Sequence, residues 1–278
     1  MRLSACTCFL GGSALSAAAL LCGLLSAAPA LARDFRPPSA FSSLSPATEV
    51  DVELVLAVDI SQSMDTDEQE VQRAGYVAAL TSDEVLDAIR FGPTGRIAVT
   101  YVEWGGVGEH FTVADWTLIE DRASASAFAA RIAEAPLRQV QRTSIVSALD
   151  RAVEMMRSNP YQGLRKVIDI SGDGPNNQGG SVTEMRDRVL AAGITINGLP
   201  LMMKAETTAW QAMLHLDHYY EDCVIGGPGS FSIPVRSKES FADAIRMKLV
   251  LEIAGLVQDQ PKVMLASSRQ PIRCNLFD

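Results

Sequence analysis

"VELVLAVDISQSMD", residues 52–65, changes character halfway along. Its first half is an almost unbroken apolar run rich in β-branched residues, the composition of a strand covered on both faces. Its second half sets oxygen-bearing side chains at alternate positions, Asp59, Ser61 and Ser63, with Asp65 two residues further on. An apolar stem ending in crowded carboxylates and hydroxyls predicts a buried strand at about 52–58 with a binding site at its carboxyl end.

Outward from this strand the chain alternates strand and helix. A helix is predicted from about residue 66, where Val71, Ala74, Ala78 and Leu80 recur near helical spacing behind the acidic starters Asp65, Asp67 and Glu68. "RIAVTYVEW" (96–104) reads as a second strand, "GGVG" (105–108) as a turn, and "EHFTVADW" (109–116) as its antiparallel edge partner. The Ala-rich 121–135 segment is helical. A helix beginning at Thr143 or Ser144 lines Ile145, Leu149, Ala152, Val153 and Met156 along one face.

The rhythm continues to the carboxyl end. "KVIDISGDG" (166–174) is a strand running into a Gly-rich loop, and 181–193 is a helix ended by Gly193. Then come a strand at 194–202, a helix at 206–218, a short strand "SFSIPV" (230–235) and a capped terminal helix over 237–255. Strands separated by helices of this length predict an α/β fold: a doubly wound, Rossmann-like, mostly parallel sheet with one antiparallel edge strand and helices on both faces. No internal repeat is apparent. In such folds ligands bind outside the carboxyl ends of the strands, beside the point where strand order reverses.

Composition bounds the partners. The chain has 278 residues, 47% hydrophobic and 21% charged, with a formal net charge of −9, which disfavours nucleic acid. Residues 1–32, with Arg2 followed by a small, apolar stretch and "ALA" at 30–32, read as a secretory signal cleaved after Ala32. An uncleaved anchor is the alternative, but its many Ala, Gly and Ser residues suit a hydrocarbon core poorly. A lipoprotein reading through Cys22 is weakened by Leu21 before it. Residues 33–50, rich in Pro and Ser, read as a linker, 51–254 as the folded domain and 255–278 as a tail. The expected product is exported, periplasmic or secreted, with no stable membrane span once the leader is removed. Cleavage takes Cys6, Cys8 and Cys22 and leaves Cys223 and Cys274, either a disulfide pinning the tail or two separate thiols.

Two strand ends carry acids followed by polar residues, Asp59 after the first strand and Asp173 after "VIDIS". If those strands are neighbours, Asp59, Ser61, Ser63, Asp173 and Thr143, at the start of the preceding helix, can surround one point. Two carboxylates and three hydroxyls suit a hard divalent cation. Mg²⁺ takes six oxygens at about 2.0–2.1 Å and keeps some of its waters. Mg²⁺ is therefore the expected ion, with Mn²⁺ the alternative. The carboxylates roughly neutralise it and the hydroxyls add no charge, which leaves it able to accept an outside acidic oxygen.

"DISQS", Thr143 in "QRTSIVSAL" and Asp173 in "DISGDG" together resemble the metal-ion-dependent adhesion site of the von Willebrand factor A domain, with all five ligand positions matched. More narrowly, "YVEWGG", "ISGDGPNNQGG" and "YYEDCVIGGPGSF" resemble a bacterial exported family known as domain of unknown function 1194. The first resemblance implies a module that binds a protein or peptide whose Glu or Asp completes the metal's coordination. It also implies that Thr143 and Asp173 exchange direct and water-mediated coordination as the helix at about 237–254 moves.

Other readings are weaker. An aspartyl phosphotransferase would want a second acid where Ser61 stands, and no GxSxG elbow is present. "GGPGS" (226–230) lacks the Lys of a P-loop and reads as a turn. His215 and His218, three apart, read as surface or capping residues rather than zinc ligands. Trp104, Trp116 and Trp210 read as core or edge packing. The rival function is a metal-dependent hydrolase or a subunit of an enzyme assembly, for which Glu103 and His110 are the only loose general-base candidates, and no catalytic constellation is evident.

Overall fold

A computed structural model describes residues 47–203, 215–255 and 270–275. The predicted leader, nearly all of the linker, Trp210, most of the expected 206–218 helix and most of the tail lie outside the described residues.

β1 (Thr48–Asp59) pairs in parallel with β2 (Ile97–Trp104) on one side and β4 (Tyr161–Gly172) on the other. β3 (His110–Ile119) runs antiparallel beside β2, and β5 (Thr195–Pro200) runs parallel beside β4, giving the order β3-β2-β1-β4-β5. The chain leaves β1 first toward β2 and later returns on its other side as β4. The reversal therefore falls between β1 and β4, the neighbours on which the site depended. β1 starts before its apolar run because Thr48, Glu49 and Val50 pair with Tyr161, Gln162 and Gly163.

β1 is buried on both faces, as its composition demands. Leu54, Leu56 and Val58 pack on one side with Tyr76 and Leu80 of α1 (Thr66–Leu80), Leu86 of α2 (Asp83–Arg90), Phe128 of α3 (Arg122–Glu134) and Leu249 of α7 (Phe241–Ala254). Val55 and Ala57 pack on the other with Leu149 of α4 (Ile145–Arg157), Val189 of α5 (Val182–Ala191) and Tyr219 of the short α6 (Leu216–Tyr219). α2 was not anticipated, although Ser82 caps it and Val85, Leu86 and Ile89 bury its inner face.

Three expectations are corrected. On α1, Ala74 and Ala78 are exposed and Val71 is half-buried, while Gln72, Arg73, Tyr76 and Ala79 face inward. Apolar periodicity missed this face because two of its residues make buried polar contacts: Gln72 donates to Ser171 Oγ (3.0 Å) and Arg73 pairs with Glu103. "SFSIPV" is not a full strand. It pairs with β5 and the following residue only at the bridges Gly198–Ser232 and Leu201–Val235, because Pro200 of β5 has no N–H to give to the Ile233 carbonyl between them. The terminal helix begins at Phe241 with no side-chain cap, because Ser237 Oγ accepts the Ser240 N–H in a competing turn. It ends at Gly255 in the left-handed region (φ 60).

Cys223 and Cys274 form a disulfide across 51 residues of chain, which closes the alternative of two separate thiols. It joins residues 270–275 to a single π-turn, Tyr220–Val224, that follows α6. Ile272 N–H also donates to Asp222 Oδ2 (2.9 Å), and Arg186 donates to the Asp222 carbonyl (2.9 Å). Cys274→Ser is expected to lower stability by about 2–4 kcal/mol by releasing loop entropy to the unfolded chain. Thermal melts of oxidised wild type and variant check this, and coincident melts would refute it.

Candidate metal centre

The register of the sheet builds the site. Val58 pairs with Ser171, so the last residue of β1, Asp59, lies beside the end of β4 and Asp173 follows just beyond. Asp59 Oδ1 accepts the N–H of Ser61 (2.7 Å), folding the chain back so that Ser61 points the same way. Ser61 Oγ lies 2.9 Å from Ser63 Oγ, and Ser63 Oγ donates to Asp173 Oδ1 (2.5 Å). Four of the five predicted residues thus form one continuous chain of contacts across two strand ends.

Thr143 arrives on a third loop. Val140 N–H donates to the Ile60 carbonyl (3.0 Å) and Ser144 N–H to the Gly105 carbonyl (2.8 Å), which tie this loop to the ends of β1 and β2. Asn177 holds it from the other side: its Oδ1 accepts Thr143 N–H (3.0 Å) and its own N–H donates to the Thr143 carbonyl (2.9 Å). Asn176 Oδ1 accepts Val146 N–H (3.2 Å), and Ser144 Oγ caps α4 through Ser147 N–H (3.1 Å). Arg142 turns the chain into Thr143 through a left-handed conformation (φ 70), uncommon for a side chain of its size. Residue type and spacing alone give the two asparagines no assigned role. Their role as clamps between the Thr143 and Asp173 loops depends on tertiary contact.

Electrostatics at the site favour a cation. Asp59 is fully buried and its Oδ2 has no hydrogen-bond partner. Burial first, and then the nearby Asp173 carboxylate, push the Asp59 pKa up to about 8. A buried carboxylate oxygen without a donor is costly unless a cation or proton meets it. Two carboxylates and two contacting hydroxyls, with Thr143 on the adjoining loop, form a hard oxygen set with no sulfur or imidazole, and so fit a Mg²⁺-type ion.

The remaining candidates separate cleanly. Glu103 is buried and ion-paired, Oε1 with Arg73 and Oε2 with Arg138 at 3.6 Å, and burial raises its pKa. His110 Nε2 lies 3.0 Å from Ser147 Oγ, which also accepts Gly108 N–H (3.2 Å), and burial lowers the His110 pKa. His215, Asp217 and His218 bring their ligand atoms within 4.8 Å of one another. Yet Asp217 already accepts from Arg236 (2.7 Å) and from His218 N–H (2.9 Å), and the two imidazoles stack at 4.8 Å. Trp104 is core and Trp116 is half-buried on the edge strand beside Tyr161. Gly227 (φ 96) and Gly229 (φ 68) confirm "GGPGS" as a turn.

An α/β sheet of this order has a von Willebrand factor A-like fold. Solved structures of similar fold include proximal thread matrix protein 1 of the mussel byssus (TM-score 0.54, 12% identity, covering 75% of this chain and 49% of that one). Another is the pilus adhesin SpaC of Lactobacillus rhamnosus GG (0.54, 13%, covering 75% and 30%). A third is a von Willebrand factor type A protein of Catenulispora acidiphila (0.51, 15%, covering 74% and 43%). The chain belongs to the family described as "Protein of unknown function (DUF1194)", which matches residues 49–257. The chain spans about half or less of the length of each of these three proteins, and the likenesses establish the fold alone. A search of curated proteins gave no match. Among the described residues no helix is long and apolar enough to cross a membrane.

Proposed function

We propose that this chain is an exported binding module that holds a divalent cation, Mg²⁺ or in its place Mn²⁺, through Asp59, Ser61, Ser63, Thr143 and Asp173. The cation supplies a Lewis-acidic position that accepts a Glu or Asp carboxylate of a protein or peptide partner. The observation that carries this reading is the contact chain Asp59–Ser61–Ser63–Asp173 across adjacent strand ends, closed at one end by a buried, partnerless carboxylate oxygen. Support also comes from a structure of the mussel thread matrix protein described with a zinc-occupied MIDAS motif (TM-score 0.54, 14% identity).

The protein's own residues supply the rest. Asp59 and Asp173 balance the charge, the serines contribute neutral oxygens, and the Asn176–Asn177 clamp fixes the loop that bears Thr143. Residues 1–32 serve as the export signal and 33–50 as a linker in this reading, and the Cys223–Cys274 disulfide agrees with an oxidising compartment outside the cytoplasm. The non-catalytic reading is supported by Glu103, a buried acid outside the ligand set, being ion-paired with Arg73 and Arg138.

Calorimetric titration with Mg²⁺ and with Mn²⁺ tests the proposal, followed by partner capture with and without EDTA. One bound ion and EDTA-sensitive capture are expected; a titration flat for both ions would refute the metal site. Thr143→Ala is expected to weaken partner capture more than ion binding, by about tenfold against a few-fold, because its hydroxyl serves the partner-bound arrangement. Parallel ion and capture titrations measure the difference, and equal losses would refute that role.

A further inference from the structure

Tyr220 is a fully buried tyrosine whose hydroxyl has no hydrogen-bond partner. It lies over two strand glycines. A Cβ on Gly198 would stand 2.6 Å from Tyr220 Cδ1, and a Cβ on Gly172 would stand 2.9 Å from both the Tyr220 hydroxyl and Asp59 Oδ2. The Tyr220 hydroxyl and Asp59 Oδ2, both buried and without a hydrogen-bond partner, therefore flank the same missing side chain, one a donor and the other an acceptor.

The position of Tyr220 is fixed from below. It opens the π-turn whose Cys223 is disulfide-bonded to Cys274 and whose Asp222 is held by Arg186 and by Ile272 N–H. Single π-turns of this kind concentrate at functional sites. The preceding residue, Tyr219, accepts Asn176 N–H on its hydroxyl (3.2 Å), so the same segment supports the Thr143–Asp173 side of the site.

We infer that Tyr220 is a positioning residue for the metal centre: its hydroxyl stands across the Gly172 space from Asp59 Oδ2 without bonding it in this structure, and donates to that oxygen when the ion is bound, aiming the carboxylate at the ion. This rests on the metal-binding reading given above. An ionised carboxylate oxygen has lone pairs for both a donor and a cation or its water, and outer-shell partners of metal ligands are typically worth 10–100-fold in affinity. The glycine at 172 is then required by the close approach of hydroxyl and carboxylate.

The test is Tyr220→Phe in the full chain, which keeps the ring and removes only the hydroxyl, with Gly172→Ala as a second variant that wedges the two groups apart. Mn²⁺ and Mg²⁺ affinities by calorimetry are expected to fall about tenfold in both. The metal-free Tyr220→Phe protein should melt at or above the wild-type temperature, which a purely structural role would not produce alongside lost affinity. Wild-type affinity in Tyr220→Phe, with binding lost in Asp59→Asn, overturns the inference and leaves the metal site standing. If the wild type binds neither ion, the metal reading fails and this inference falls with it.

Discussion

Asp59→Ala and Asp59→Asn are expected to abolish Mg²⁺ and Mn²⁺ binding, by at least about 100-fold, while the protein stays folded. The size follows from the position of the side chain. Asp59 lies buried at the end of β1, its Oδ2 has no hydrogen-bond partner in this structure, and it supplies one of the two carboxylates in the set. Folding survives because the charge is a burden to the metal-free protein, as its raised pKa shows. The asparagine variant also retains an oxygen to accept Ser61 N–H. Calorimetry for the ion and circular dichroism for the fold measure both halves. A folded Asp59→Asn protein that binds Mg²⁺ with wild-type affinity would remove Asp59 from the ligand set.

Lys248→Ala is expected to destabilise the protein by about 3–5 kcal/mol, the cost of stranding buried charges after removal of their partner. Lys248 on α7 is fully buried, with its ammonium 2.7 Å from Asp169 of β4 and in contact with Glu252 one turn on. Asn197 also donates to Glu252 (3.0 Å), and the ammonium lies over the Phe231 ring at 5.5 Å. Two carboxylates share one cation, so burial and then the Asp169 charge push the Glu252 pKa up to about 7. A carboxyl whose folded pKa exceeds its unfolded value binds protons more tightly when folded. Its contribution to stability is therefore complete below the unfolded value near 4.5 and is lost as pH rises toward about 7. Wild-type melting temperature should fall across that window, and Lys248→Ala should fall further. Melts from pH 4.5 to 7.5 decide it, and equal stability of variant and wild type at pH 7.5 would show that the cluster holds nothing together.

The placement of this cluster has a consequence for the site. Asp169 and Ser171 belong to β4, the strand whose end leads into Asp173, while Lys248 and Glu252 belong to the terminal helix. Arg165 of the same strand donates to the Glu252 and Ile253 carbonyls (2.7 Å each), closing the end of that helix. The terminal helix is thus bound to the site-bearing strand by buried ionic contacts as well as by apolar packing.

How much of this was legible in the chain differs element by element. The residues of β1 already indicated a two-faced buried strand with a polar end, because Val52, Leu54, Leu56 and Val58 alternate with Val55 and Ala57 before Asp59. The apolar face of α4 and the antiparallel pairing of β3 with β2 followed likewise from local periodicity and a Gly-rich turn. The order Asp59, Ser61, Ser63, Thr143, Asp173 was also visible, since ligand chemistry resides in residue type and spacing. Only the tertiary structure decided that β1 and β4 are neighbours, which brings Ser63 onto Asp173 across more than a hundred residues. It alone decided that α1 turns Gln72 and Arg73 inward, since a polar residue reads as exposed until its buried partner is known. The same holds for Tyr220, whose meaning lies in a hydroxyl meeting no donor or acceptor except across the space left by Gly172. Local pattern fixes what each segment can bury, whereas the pairing of buried polar groups depends on which distant segments the sheet sets side by side.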